Sequence, residues 1–155
     1  MKIRYAQGIA RVPQPSLGGG VIRHRPILPV LITGPLTFAL RDGLLDSGAD
    51  DTVFPDRVAK QIGVDLGKAI PHPVSLAGRG ILLCRFAPAR LRITDGRQET
   101  YEWQAVIGFA PIALRYALLG HAGFLQYFDA EFRGADREVV LTPNPALPSQ
   151  QKTAP

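Results

Sequence analysis

The sequence predicts an all-β fold, organised as a single domain with one or two short helices. Its 16 glycines and 14 prolines are scattered through 155 residues, as is typical of many short strands joined by turns. The chain has neither a repeat at solenoid spacing nor a regular alternation of strands and helices. Hydrophobic residues make up 46% of the chain, which indicates a globular protein. A chain of this length can bury a sizeable core within one domain.

In the first half of the chain, apolar runs predict strands over residues 27–33 and 36–40, with Gly34-Pro35 as the turn between them. Residues 41–43 (Arg-Asp-Gly) predict a bulge or tight turn. A short helix is expected over residues 56–62, because Pro55 precedes it and Gly63 ends it. Residues 1–25 carry little pattern and are expected to form a flexible lead-in.

In the second half, residues 74–81 are expected to be extended but pliable, because they contain two glycines. Strands are predicted over residues 82–93, 100–107 and 116–119, with a hairpin turn at residues 94–97. One or two helical turns over residues 122–127 and a closing hairpin of residues 129–132 and 138–141 complete the domain. The domain is therefore predicted to span residues 26–142, followed by a disordered tail over residues 143–155.

Charge, cysteine content and the lack of targeting patterns limit the partners and the cellular location that we expect for this protein. The net charge is +5, but no cluster of Lys and Arg with interleaved aromatic residues is present, so no nucleic-acid partner is expected. Cys84 is the single cysteine and cannot form an intrachain disulfide. No signal-peptide pattern and no apolar stretch of about 20 residues occurs, so we expect a cytoplasmic protein without a membrane partner.

The segment with the most chemical information is residues 44–52, Leu-Leu-Asp-Ser-Gly-Ala-Asp-Asp-Thr. Two leucines indicate a buried strand that delivers Asp46, and a carboxylate at such a place is costly unless it is paired or hydrogen-bonded. One interpretation is an Asx-turn, in which Asp46 accepts hydrogen bonds from the backbone N–H groups of Gly48 or Ala49. A calcium loop is another interpretation, although the acids do not follow EF-hand spacing. A catalytic carboxylate is the third.

Residues 45–52 resemble the active-site motif of the retropepsins, the dimeric aspartic proteases of retroviruses and their cellular relatives. Phe54-Pro55 followed by the predicted helix is similar to the cellular and bacterial branch of that family. Leu118-Leu119-Gly120 matches its second motif, two apolar residues and a glycine that pack beneath the active-site loop. The spacing from Asp46 is somewhat longer than in viral members. The resemblance covers about residues 27–141.

This resemblance implies a retropepsin-like acid protease fold, a closed β-barrel-like domain that works as a homodimer. Aspartic proteases need two aspartates that share one proton, and this chain has one Asp-Ser-Gly. A twofold dimer would bring Asp46 from each subunit together on the axis. The implied catalytic residues are Asp46, Ser47 and Gly48, with the Ser47 hydroxyl linking the two active-site loops. Neither a metal nor a cofactor is required.

The resemblance also implies residues that bind the peptide or protein substrate. Ala49, Asp50 and Asp51 occupy positions that contact the substrate backbone in the family. Residues 74–82 fall where the family has its flap, the hairpin that closes over the substrate, so that Gly78, Arg79 and Gly80 are substrate-binding candidates. Arg79 departs from the small or apolar flap tips of viral members.

Three functions remain open from the sequence. The first is an aspartic endopeptidase that hydrolyses peptide bonds with water activated by the Asp46 pair. The second is a catalytically weak or inactive module of the same fold that only dimerises or binds peptides. Two departures from viral members keep this interpretation open: Arg79 in the predicted flap, and His121, where viral members often have arginine. The third is a basic nucleic-acid binder, whose affinity would depend on salt.

Overall fold

A computed structural model describes residues 1–76, 80–96 and 99–148. The strands are β1 (Lys2–Arg4), β2 (Ala6–Ile9), β3 (Ile22–Arg25), β4 (Ile27–Thr33), β5 (Phe38–Leu45), β6 (Val53–Pro55), β7 (Pro71–Leu76), β8 (Gly80–Thr94), β9 (Thr100–Ala110), β10 (Ala117–Leu119), β11 (Phe128–Arg133) and β12 (Glu138–Pro143). The helix α1 spans Asp56–Ile62, and 3-10 turns span Pro15–Leu17 and Leu125–Tyr127. Within the described ranges, no helix is long and apolar enough to cross a membrane.

The main sheet closes on itself. Its strands follow the order β4-β5-β10-β6-β9-β8, and β8 pairs back with β4 through Leu31↔Arg92 and Thr33↔Arg90. β7 continues the sheet as an antiparallel hairpin with β8. A closed sheet removes the free edges that would otherwise invite pairing with other chains. The predicted fold class, all-β with a closed barrel-like sheet and a short helix, is confirmed.

The main core fills the barrel and extends under the C-terminal hairpin. Along β8, Ala87, Ala89, Leu91 and Ile93 are buried and alternate with exposed residues, the period-2 pattern of a strand with one face inside. Three aromatic side chains meet at one end of this core with ring centroids 5.3–5.5 Å apart, namely Trp103, Phe124 and Phe128. Such edge-to-face and tilted packing is favourable beyond the buried area itself.

The helix α1 forms where the sequence predicts it. Val58, Ala59 and Ile62 are buried, so the helix presents one apolar face to the main core. It ends at Gly63, which has a φ of 78° and donates its N–H to the carbonyls of Ala59 and Lys60. A left-handed residue at this position is favourable for glycine because it has no Cβ.

The termini correct two sequence predictions. Within residues 1–25, predicted to lack pattern, β1 pairs with β12, and β2 pairs with β3 as a separate hairpin. Residues 143–148 of the predicted disordered tail form a turn, in which the Asn144 N–H donates to the Tyr127 carbonyl at 3.0 Å and Leu147 packs on the main core. β1 and residues 144–148 are held by partners far away in sequence, which local patterns do not reveal, whereas β2 and β3 pair within the N-terminal segment itself. Residues 149–155 lie outside the described ranges.

The predicted bulge or turn at residues 41–43 is also wrong. These residues continue strand β5, with Asp42 opposite Pro29 and Gly43 opposite Leu28. The glycine has a packing role, because a Cβ at Gly43 would lie 2.7 Å from the side chain of Leu119 on the neighbouring strand β10. Close approach between strands, rather than a turn, is why glycine fits this position.

Candidate active site

Asp46 directly follows strand β5, where the chain leaves the barrel. Leu45 is buried and its N–H donates to the Pro26 carbonyl at 2.9 Å, whereas Asp46 is half-buried and its N–H donates to the Leu119 carbonyl at 3.2 Å. The strand therefore anchors the backbone on both sides while the carboxylate reaches the surface. Ser47 and Gly48, the other two predicted catalytic residues, are exposed beside it.

The Asp46 side chain is oriented by its own loop. Its Oδ1 accepts a hydrogen bond from the Gly48 N–H at 3.0 Å, and its carbonyl accepts one from the Ala49 N–H at 3.1 Å. This is the geometry of the Asx-turn interpretation. Within the described ranges no second hydrogen bond reaches the carboxylate. One oxygen is thus held in place, and the other is available to a water, a substrate or a second carboxylate.

Strand β10 lies beneath the Asp46 loop and joins its two ends. It pairs in parallel with β5, with Leu119 opposite Leu45, and antiparallel with β6, with Leu118 opposite Val53. The loop of residues 46–52 therefore crosses over the end of β10 on its way from β5 to β6. The two segments that the sequence singled out are brought together by this arrangement.

Gly120 permits the close contact between β10 and the loop. A Cβ at this position would lie 2.3 Å from the Asp51 carbonyl oxygen and 2.7 Å from the Ala49 carbonyl oxygen, distances that side chains do not tolerate. Beyond Gly120, the His121 N–H donates to the Ala49 carbonyl at 2.8 Å and the Ala122 N–H donates to the Asp50 carbonyl at 2.7 Å. These bonds fix the backbone of the loop, whereas the His121 side chain is exposed.

The predicted substrate-binding residues Ala49, Asp50 and Asp51 share this loop. Asp50 is exposed and Asp51 is half-buried. Burial raises the pKa of the Asp51 carboxyl above its ordinary value, and the neighbouring charge of Asp50 raises it further. Within the described ranges, no group of three or more His, Cys, Asp or Glu residues is arranged to hold a metal ion.

A second apolar cluster, here called the site-side cluster, lies next to the loop. Its buried members are Val53, Cys84 and Ala110. Burial raises the pKa of the Cys84 thiol, and the charge of Asp51 adds to this, so Cys84 is near the loop. Six half-buried side chains surround these three residues: Val74, Leu82, Phe86, Ile112, Leu114 and Leu118.

The sequence did not single out the site-side cluster. The run of residues 111–114, Pro-Ile-Ala-Leu, has no strand or helix period, and its apolar side chains could equally belong to any core. A contribution of the β7–β8 hairpin to the site was predicted, but through Gly78, Arg79 and Gly80 rather than through its apolar side chains. Apolar residues that remain half-buried beside a carboxylate would have been the signal, and burial is not visible in a single sequence.

The hairpin where the flap was predicted is formed by β7 and β8. Its strands pair from Pro71↔Arg85 to Leu76↔Gly80. Gly80 has a φ of 73°, a conformation that favours glycine at this turn end. Gly78 and Arg79, the other two predicted flap residues, lie outside the described residues. The inward face of the hairpin contributes Val74 and Leu82 to the site-side cluster.

Solved structures similar to this chain include a protease bound to an inhibitor. The EIAV protease complexed with the inhibitor HBY-793 is similar to this chain with 23% identity, and the match covers 63% of this chain and 82% of that chain with a TM-score of 0.48. No family model matches the sequence, and no curated protein matches it. What this chain does therefore has to be inferred from its own residues.

Proposed function

We propose that this chain is a retropepsin-like aspartic endopeptidase that hydrolyses peptide bonds as a homodimer. The observation that carries the proposal is the placement of Asp46, a carboxylate at the end of a buried strand with one oxygen oriented by the Gly48 N–H. The motif Leu118-Leu119-Gly120 supports it, because Gly120 allows the loop to rest on β10. Phe54-Pro55 followed by α1 favours the cellular and bacterial branch of the retropepsins.

The dimer follows from the chemistry of the carboxylate pair. An aspartic protease needs two close carboxylates that share one proton, because two like charges at such a distance cannot both ionise. The chain supplies one Asp-Ser-Gly, so the second carboxylate would be Asp46 of another copy related by a twofold axis. The exposure of Ser47 and Gly48 supports this arrangement, since both can reach a partner surface.

In the proposed reaction, the ionised Asp46 takes a proton from a water molecule whose oxygen attacks the peptide carbonyl carbon. The protonated Asp46 of the other copy donates its proton to the carbonyl oxygen, which gives a tetrahedral diol. The diol then loses a proton to the Asp46 of the other copy, which is now ionised, as the C–N bond breaks. The first Asp46 gives the proton that it took from water to the leaving nitrogen, so the pair returns to its starting state. The pair titrates as a unit, and no covalent enzyme intermediate forms.

The remaining site residues would position the peptide. Ala49, Asp50 and Asp51 lie on the same loop as Asp46 and would contact the extended substrate backbone. The β7–β8 hairpin would act as the flap, and Gly78, Arg79 and Gly80 would be its substrate-binding residues. The half-buried side chains of the site-side cluster would form an apolar wall for substrate side chains.

The test compares wild type and Asp46→Asn for cleavage of a mixed peptide library between about pH 3 and 7, where carboxylate pairs of this kind work. Asp42→Asn is the matched control, because Asp42 is an exposed aspartate of strand β5. We expect cleavage by wild type and Asp42→Asn, and none by Asp46→Asn. Sedimentation analysis of the same samples reports the dimer. A folded dimeric wild type that cleaves nothing would instead indicate a peptide-binding module.

A further inference from the structure

A groove at the base of the β2–β3 hairpin concentrates positive charge. It has a volume of about 340 Å³ and is lined by four arginines, Arg11, Arg23, Arg25 and Arg115. No carboxylate is among its lining residues, and within the described ranges none of the four arginines forms an ion pair. The arginines elsewhere that do form ion pairs are Arg90 and Arg133. The groove therefore holds uncompensated charge.

The register of the β2–β3 hairpin explains why Arg23 and Arg25 line a groove rather than pack against large side chains. Arg25 lies opposite Ala6 and Arg23 lies opposite Gly8, so each long cationic side chain faces a small residue on the neighbouring strand. Since residues two apart share one face of a strand, Arg23 and Arg25 point the same way. Arg23 is held by a hydrogen bond from its guanidinium to the Gln14 side-chain oxygen. Both arginines are half-buried, which limits their freedom before any ligand binds.

The groove adjoins the proposed catalytic edge. Arg25 is followed by Pro26, whose carbonyl accepts the Leu45 N–H at 2.9 Å, and Leu45 precedes Asp46. Tyr116 also lines the groove and precedes the start of β10, whereas the Asp46 loop crosses the other end of this short strand. An extended peptide bound at the Asp46 loop could therefore continue along the chain direction into the groove.

The lining favours a polypeptide over a nucleic acid. Tyr116 is its single aromatic residue, and the Arg115 guanidinium lies 5.2 Å from the centroid of that ring. This face is therefore already covered, and bases would have no free aromatic platform on which to stack. Ile9 also lines the groove and is 79% exposed, which adds an apolar contact that suits a side chain rather than a phosphate backbone.

We propose that this groove binds an acidic segment of the polypeptide substrate, with Asp or Glu side chains on one side of the cleaved bond. Arginine pairs with carboxylates through two parallel hydrogen bonds, so it supplies geometric selection as well as charge. The inference rests on the proposed function in one respect, namely that the bound polypeptide is a substrate. The binding itself does not need the carboxylate pair to react.

The test measures binding to the Asp46→Asn chain, in which the peptide stays intact. Two labelled peptides are compared by fluorescence polarisation, one with an acidic run next to an apolar segment and one with Asn and Gln in place of Asp and Glu. We expect the acidic peptide to bind at least about tenfold more tightly. The preference should shrink between about 0.05 and 0.5 M salt, because exposed charges are screened.

Arg23→Gln/Arg25→Gln should abolish the preference, whereas Arg90→Gln/Arg92→Gln, which removes the same charge outside the groove lining, should keep it. Arg23→Glu/Arg25→Glu should instead favour a lysine-containing peptide, an effect that general destabilisation would not produce. An unchanged preference in Arg23→Gln/Arg25→Gln overturns the proposal. Tighter binding of single-stranded DNA or inorganic polyphosphate through the same arginines also overturns it.

The two proposals fail separately. If the acidic preference depends on Arg23 and Arg25 but the wild type cleaves no peptide, the groove is a polypeptide-binding surface and the protease assignment is wrong. If the wild type cleaves the library through Asp46 without any preference for acidic segments, the protease assignment holds and the groove proposal is overturned.

Discussion

The two apolar clusters of this domain differ in how completely they are closed. The main core is enclosed by the barrel, and its large side chains, such as Phe54, Phe109 and Phe124, are at most 1% exposed. The site-side cluster has three buried residues, and the six apolar side chains around them are only half-buried. Half-buried apolar side chains also pack against the main core, but there the buried side chains outnumber them, whereas in the site-side cluster the half-buried ones are the majority.

Because of this difference, we expect the main core to contribute mainly to stability and the site-side cluster to contribute to substrate binding. Apolar surface contributes roughly 25 cal/mol per Å² when it leaves water. For the buried side chains of the main core that contribution is complete once the chain folds. In the site-side cluster, part of the apolar surface remains in contact with water after folding. A peptide side chain placed beside the Asp46 loop would bury that remaining surface. Substitutions should therefore affect unfolding in the first region and substrate binding in the second.

The largest effect is expected for Phe124→Ala in the main core. Phe124 is fully buried and packs against Trp103 and Phe128, so its truncation should lower the free energy of unfolding by about 3–5 kcal/mol. Urea denaturation measures this. Phe38→Ala is the control, because Phe38 is 60% exposed and should change stability by less than about 1 kcal/mol. Equal losses for the two variants would contradict a closed main core.

The next effect is expected for Gly120→Ala, at the contact between β10 and the loop. The added methyl group would lie 2.3 Å from the Asp51 carbonyl oxygen, which should cost about 2–3 kcal/mol and displace the loop that carries Asp46. Cleavage should fall more than stability. At Gly134 a Cβ meets nothing within 4 Å, so Gly134→Ala should leave both unchanged. A fully active Gly120→Ala would show that the loop does not depend on this contact.

A smaller change in stability is expected for Ile112→Ala in the site-side cluster. Ile112 is half-buried, so the loss should be about 1 kcal/mol, but the residues preferred beside the cleaved bond should shift towards larger side chains. Leu31→Ala, a half-buried aliphatic residue of strand β4, should lose similar stability without any shift. Library cleavage profiles measure the difference. Identical profiles for wild type, Ile112→Ala and Leu31→Ala would argue against a role of the site-side cluster in binding substrate side chains.

The smallest effect is expected for Asp51→Asn. The raised pKa of Asp51 means that its ionised form is disfavoured by the fold, so the native state loses stability as pH rises through that pKa. Asp51→Asn should match wild type near pH 3 and be more stable at pH 7, by a few tenths of a kcal/mol because solvent screens the group. Thermal unfolding at both pH values measures this. If Asp51→Asn were less stable than wild type at pH 7, the ionised Asp51 would be stabilising in the native state, contrary to this prediction.

Local patterns in the sequence carried the prediction of the all-β class, of α1 and of most of the strands. Helix α1 is an example, since Pro55, three apolar residues at helical spacing and Gly63 all lie within nine residues. The prediction failed at residues 41–43, where Arg-Asp-Gly forms part of a strand. Glycine fits there because Leu119, more than 70 residues away in sequence, packs too closely for a Cβ. A pattern of neighbouring residues cannot predict a contact of this kind.

The candidate site divides in the same way. The sequence by itself predicted the candidate site at residues 45–52, because an aspartate, a small residue and a glycine after two leucines resemble a known motif within one short segment. Only the tertiary structure decided that β10 passes beneath this segment, that Ile112 and Leu114 stand beside it, and that Arg25 and Arg115 share a groove. The reason is physical: residue type and spacing specify local hydrogen bonding and burial tendency, whereas contacts between distant segments exist only after the barrel closes.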